Sequence, residues 1–124
     1  MLLDSNLIIY ASKPGYDDLR DWMSHHPICA SALSQLEVLG YHRLIEKDRR
    51  FFMTFFSALP VLPITSEVIE QAIALRQQRK MTLGDATIAA TAIINNLAIA
   101  THNSSDFEWI PNLVVIDPIS SMKD

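Results

Sequence analysis

Met1-Leu2-Leu3-Asp4-Ser5-Asn6-Leu7-Ile8-Ile9-Tyr10 is a run of strand-forming apolar residues interrupted by one acid and two neutral polar side chains. Residues 1–3 read as a short buried strand, and Asp4, Ser5 and Asn6 are the polar groups met where it ends. In open parallel sheets ligands gather beyond the carboxyl ends of the strands, so an acid at the end of a first strand is well placed for chemistry. The position also suits a local role. Aspartate and serine both accept hydrogen bonds from the free N–H groups of a helix start, and residues 7–11 read as the beginning of a helix. The rest of the chain decides between the two.

Beyond this stretch, Lys13-Pro14-Gly15 is a break, and residues 17–24 carry Leu19, Trp22 and Met23 at helical spacing before His25-His26-Pro27 ends the helix. Ile28-Cys29-Ala30 is a second short apolar strand. Residues 31 to about 47 follow the helical period, and residues 48–59 continue as another helix with an aromatic stripe of Phe51, Phe52, Phe55 and Phe56. That stripe is either core or an aromatic-rich partner surface. Strands are expected again at 61–64, 97–101 and 113–116, with helices at about 65–79 and 83–95 and a helical turn at 104–109. Strands alternating with helices, with no linker and no repeat, imply an α/β protein built on a mostly parallel five-stranded sheet flanked by helices, as a single domain over 1–124.

Composition narrows the class. At 49% hydrophobic and 19% charged with only three glycines, the chain lacks the polar bias of disorder. A net charge of −4 argues against binding nucleic acid by bulk charge, but not against a nucleic-acid enzyme whose acids surround a cation. Basic residues fall in two groups, Arg43, Lys47, Arg49 and Arg50, then Arg76, Arg79 and Lys80; each suits a solvated helix face or phosphate contacts. Cys29 is the lone cysteine, which fits a reducing compartment. With no run near the roughly 20 apolar residues of a membrane span and no basic, cleavable leader, the expectation is a cytoplasmic protein with no membrane partner.

The acids carry the chemistry. Glu37 has Leu33, Gly40, Tyr41 and Leu44 at helical neighbour positions, so its carboxylate is expected along an apolar face that demands a cation, a metal or protonation. The local alternative is a capping box from Ser34 to Glu37. Asp85 repeats the pattern, with Ile88, Ala89 and Ala92 behind it, Gly84 beside it and Thr82 placed to share a cap. Asp106 follows the fourth strand in Thr101-His102-Asn103-Ser104-Ser105-Asp106-Phe107. One sheet rim can hold Asp4, Glu37, Asp85 and Asp106 together. Converging carboxylates stay ionised only beside cations, and an all-oxygen site suits Mg²⁺ or Mn²⁺, ions that activate water and clamp phosphoryl oxygens.

Leu2-Leu3-Asp4-Ser5-Asn6, Ser34-Gln35-Leu36-Glu37 with Gly40, Gly84-Asp85-Ala86-Thr87-Ile88-Ala89-Ala90-Thr91-Ala92 and Ala100-Thr101-His102-Asn103 through Asp106-Phe107 resemble, in order, the motifs of PIN-domain ribonucleases. The likeness is greatest to the small VapC-type toxins of bacterial toxin–antitoxin pairs and covers essentially the whole chain. It implies a PIN-like three-layer sandwich and metal-dependent endoribonuclease activity, with Mg²⁺ or Mn²⁺ held by Asp4, Glu37, Asp85 and Asp106. Ser5, Asn6, Thr101 and Asn103 would support these acids, Ser5 and Asn6 also taking over the capping. Some relatives have an acid where Asn103 stands, so the fourth position rests on Asp106. His102, Arg43, Arg49 and Arg50 are candidate substrate contacts. The resemblance also implies RNA as substrate, a cognate antitoxin and a homodimer. The alternatives are a housekeeping RNA-processing nuclease, a non-catalytic module that binds RNA or antitoxin, and, least, a phosphoaspartyl phosphatase or receiver, which lacks its second acid at Asn6.

Overall fold

A computed structural model describes residues 1–122. Its strands are short: β1 (Leu2–Leu3), β2 (Ala30–Ser31), β3 (Val61–Leu62), β4 (Ile99–Ala100) and β5 (Val115–Ile116). β4 pairs with both β1 and β5, β2 pairs with β3, and all three pairings are parallel. A single parallel bridge, Leu2 to Cys29, joins the two sets, with Leu3 N–H donating to Cys29 O and Cys29 N–H to Met1 O, both at 2.9 Å. The strand order is therefore β3-β2-β1-β4-β5, with every carboxyl end on one edge.

Alternation along the strands builds two cores. Leu2, Cys29 and Ile99 face a cluster with Val68, Leu75 and the alanines Ala86, Ala89, Ala90 and Ala92, from α5 (Ser66–Gln78) and α6 (Leu83–Ile94). Leu3, Ala30 and Ala100 face the opposite cluster, formed by α1 (Ser5–Ala11), α2 (Asp17–Ser24), Val38 of α3 (Ala32–Leu39), α4 (Glu46–Ser57) and α7 (Pro118–Ser121). Helices thus cover both faces, the three-layer arrangement expected. The alanine stripe allows α5 and α6 to approach closely. Among the described residues no helix is long and apolar enough to cross a membrane.

Two expectations need correction. The helix beginning at residue 31 does not run to 47: α3 spans Ala32–Leu39 and stops at Gly40, whose N–H bonds to Leu36 O, and α4 begins at Glu46 after a loop at 41–45. The apolar residues of that stretch straddle the loop, and Leu36 is 69% exposed. The aromatic stripe divides. Phe52 and Phe56 are core, while Phe51 and Phe55 stack on each other at 6.3 Å, half-buried, and line an open cleft near the start of β2. The sequence pattern does not announce α7; Asp117 caps it, accepting from Ser120 N–H, and Pro118 sits in its first turn.

Candidate active site

Asp4 leaves β1 at the carboxyl edge and is only 8% exposed. It takes both of the roles that its position allowed. It is the N-cap of α1, its Oδ1 accepting from Ser5 N–H at 2.8 Å, and its Oδ2 accepts from the Thr101 hydroxyl at 2.8 Å. Both carboxylate oxygens are oriented, and each retains a free lone-pair direction. Ser5 and Asn6 therefore do not cap the helix. The Ser5 hydroxyl instead lies 2.8 Å from that of Ser34 and donates to Glu37 Oε1 at 3.1 Å. Asn6 Nδ2 reaches Thr101 Oγ1 at 3.5 Å, and its Oδ1 is buried with no partner.

Glu37 is exposed, contrary to the expectation of a carboxylate buried on an apolar face. Its contact with Ser5 still brings it to the rim. The capping box is also absent: Ser31 caps α3, accepting from Leu33 N–H, and Ser34 is fully buried within the helix. A β-carbon added to Gly84 would stand 3.7 Å from Glu37 Oε2, so the start of α6 lies directly against this acid. Asp85 is half-buried one residue on, its N–H bonded to the Thr82 hydroxyl at 3.0 Å. Asp106 ends an exposed 3₁₀ turn, Ser104–Asp106. A cavity of about 440 Å³ opens beside Asp85 and Asp106.

Electrostatics ties these acids together. Burial pushes the Asp4 carboxyl above its ordinary value, and Glu37 and Asp106 add to the rise against the Thr101 and Ser5 hydrogen bonds. Burial likewise raises Asp85, with Asp4 and Asp106 adding repulsion. Each of these two aspartates thus feels other acids of the group as uncompensated like charge.

The remaining candidates are placed less centrally. Thr101 is fully buried and accepts from Asn103 N–H at 3.0 Å, which sets the start of the loop leading to Asp106. Asn103 itself is exposed. His102 turns away toward α7, its Nδ1 3.0 Å from Asp117 Oδ2 and its ring edge-on to Tyr10. Arg49 forms a two-pronged pair with Glu46, and Arg50 lies 3.7 Å from the same carboxylate beside the cleft at the start of β2, away from the acids. Arg43 is exposed in the loop at 41–45.

A family model for the PIN domain matches residues 1–112. The chain belongs to the PIN domain family. Ribonuclease VapC10 of Mycobacterium tuberculosis is 30% identical over 122 residues, covering 91% of this chain and 90% of its own length. A toxin-antitoxin complex from Klebsiella pneumoniae matches at 28% identity with a TM-score of 0.79, covering 94% of this chain and 96% of that one. The structure of DNA-bound VapBC from Salmonella typhimurium superposes with a TM-score of 0.83 over 94% of this chain and 96% of that one; at 23% identity it shows the fold.

On this PIN domain the donor set is all oxygen, the chemistry of a hard divalent cation. Two observations fit such an ion: the like charge that Asp4 and Asp85 each feel from other acids of the group, and the buried, unpartnered Asn6 Oδ1 two residues from Asp4. Among the described residues no three acid, histidine or cysteine side chains stand in a preformed ligand cage. The acids border the rim as separate carboxylates, with Asp4 the one held from both sides.

Proposed function

We propose that this chain is a metal-dependent endoribonuclease that acts as the toxin of a cytoplasmic toxin–antitoxin pair. The observation that carries the reading is Asp4: a carboxylate at the end of β1, oriented through both oxygens, whose pKa is raised by burial first and then by Glu37 and Asp106. The likeness to the M. tuberculosis ribonuclease supports RNA as substrate. The likeness to the K. pneumoniae toxin-antitoxin complex supports a protein antitoxin.

Asp4, Asp85, Glu37 and Asp106 are the residues that would hold Mg²⁺ or Mn²⁺. When bound, the cation supplies Lewis acidity that makes water a better nucleophile and offsets charge on the phosphoryl group. The chain does the positioning. Thr101 and Ser5 fix the plane of the Asp4 carboxylate, and Ser5 engages Glu37 Oε1 and leaves Oε2 beside Gly84 at the start of α6. Water adds to phosphorus, the P–O bond to the leaving oxygen breaks, and that oxygen takes up a proton. Arg43 remains a candidate RNA contact. A cognate antitoxin covers the acidic rim, with an arginine among the carboxylates, and the toxin acts as a homodimer.

Purified protein incubated with structured RNAs tests the chemistry. Cleavage should require Mg²⁺ or Mn²⁺, stop with EDTA, and be lost in Asp4→Asn and Asp85→Asn; equal cleavage by wild type and both variants rejects the site. Expression should arrest growth, and co-expressed antitoxin should restore it. Cleavage without growth arrest favours a housekeeping nuclease. A non-catalytic binding module is favoured by one feature, the neutral Asn103, and predicts RNA binding with no cleavage under any cation.

A further inference from the structure

The cavity beside Asp85 and Asp106 has a second wall of opposite chemistry. α5 ends at Gln78, and Arg79 follows in an extended conformation, φ −159° and ψ 151°, which takes its side chain off the helical face. Its guanidinium carbon lies 5.4 Å from the centre of the Trp109 ring. Trp109 is itself fixed, packed against the core and donating from Nε1 to Asp106 O at 3.2 Å. Arg76 Nε donates to Met81 O at 3.2 Å and steadies the intervening turn. Arg79, Lys80 and Trp109 thus line the same cavity as Asp85 and Asp106. Among the described residues neither Arg79 nor Lys80 has a carboxylate within salt-bridge distance.

A solvated helix face does not account for this geometry, because Arg79 has left the helix and its guanidinium lies over an aromatic ring. A guanidinium held over a ring by cation–π attraction, with no carboxylate partner, keeps N–H groups available for a two-pronged contact with phosphate. An acid-lined rim repels a polyanion, so a fixed cation one step from the acids has a clear use.

We propose that Arg79 contacts the phosphate next to the one being cleaved, that Trp109 is the positioning residue that aims it, and that Lys80 adds a less directed charge. This rests on the ribonuclease reading above. RNA would enter along the wall formed by the end of α5 and Trp109, and Arg79 would set which nucleotide step lies over Asp4 and Asp85.

The test is anisotropy of a labelled single-stranded oligoribonucleotide over a salt series, in an Asp85→Asn background so that the probe survives, with kcat and KM measured in the wild-type background. Arg79→Ala should weaken binding about tenfold, as loss of a charged hydrogen-bonded contact does. It should also lower the slope of log affinity against log salt by about 0.7, the value for one phosphate on a single strand. KM should rise more than kcat falls. Arg79→Lys should keep the slope and regain part of the affinity. Trp109→Phe should stay near wild type, and Trp109→Leu should weaken binding with the charge still present. An unchanged slope and KM in Arg79→Ala overturns the proposal, and that result stands even where Trp109→Leu fails to fold. A parent protein that neither binds nor cleaves the RNA overturns the ribonuclease reading, and this inference with it.

Discussion

The hydroxyl of Thr101 donates to Asp4 Oδ2 at 2.8 Å in a buried bond between residues 97 apart in sequence. It joins the carboxyl ends of the adjacent parallel strands β1 and β4. The same hydroxyl accepts from Asn103 N–H, so one side chain orients the acid and starts the loop leading to Asp106. Thr101→Val keeps the shape and removes the hydroxyl from Asp4 Oδ2, Asn103 N–H and the longer Asn6 Nδ2 contact. It should cost about 1–3 kcal/mol in denaturant unfolding and reduce kcat/KM for RNA by about 10–100-fold, the usual effect of removing a partner that orients a metal ligand. Thr101→Ser should retain most of both.

The raised carboxyls give a pH dependence of definite sign. Burial, then neighbouring acids, lifts Asp4 and Asp85 above their ordinary values. Between the ordinary and the raised value the folded protein holds more protons than the unfolded chain. Stability of the metal-free protein therefore falls as pH rises through that window, and the penalty remains above it. A cation binds the ionised carboxylates, so the rise in Tm on adding Mg²⁺ should be small at the acid end of the window and grow as pH rises. Thermal unfolding with and without Mg²⁺ across the acid range measures this. A shift that shrinks with rising pH contradicts the assignment.

Asp4→Asn separates stability from function. The amide oxygen can keep the Ser5 N–H bond, the amide nitrogen can face Thr101 Oγ1, and the buried charge is gone. Metal-free Asp4→Asn should be at least as stable as wild type near neutral pH, lose most of its Mg²⁺-induced rise in Tm, and fail to cleave RNA. Calorimetry with and without Mg²⁺ checks the first two, and the trade of activity for stability is the usual one at such sites.

Gly84 tests the approach of α6 to Glu37. An alanine β-carbon would meet Glu37 Oε2 at 3.7 Å and Leu33 Cδ2 at 3.9 Å, ordinary contacts. Gly84→Ala should be tolerated and stabilise the protein by roughly 0.4–1 kcal/mol, chiefly by restricting the unfolded chain. Gly84→Leu should push Glu37 from the rim, lowering RNA cleavage while circular dichroism shows the fold retained.

Much of the architecture was legible locally. Leu2 and Leu3 announce opposite faces of one strand, and short apolar runs alternating with helical patterns point to parallel pairing covered on both sides. Asp4 was legible because a strand end and a helix start meet there. The expectation that failed at Glu37 is its burial on an apolar face. Leu33, Gly40, Tyr41 and Leu44 share a face with Glu37 only while the helix is continued past Gly40, and in the fold α3 ends at Leu39, with Glu37 and Tyr41 exposed. Arg79 and Trp109 were opaque, since their contact depends on where α5 ends and how β4 returns, relations no local spacing encodes.

The claim that Asp4 and its neighbouring acids form a divalent-cation site is tested most directly by a crystal of this protein soaked in Mn²⁺ and measured for anomalous scattering. An anomalous peak within coordination distance of an Asp4 carboxylate oxygen and at least one of Asp85, Glu37 and Asp106, absent in Asp4→Asn, is the result predicted here. Well-ordered carboxylates with no peak between them at saturating Mn²⁺ would contradict it.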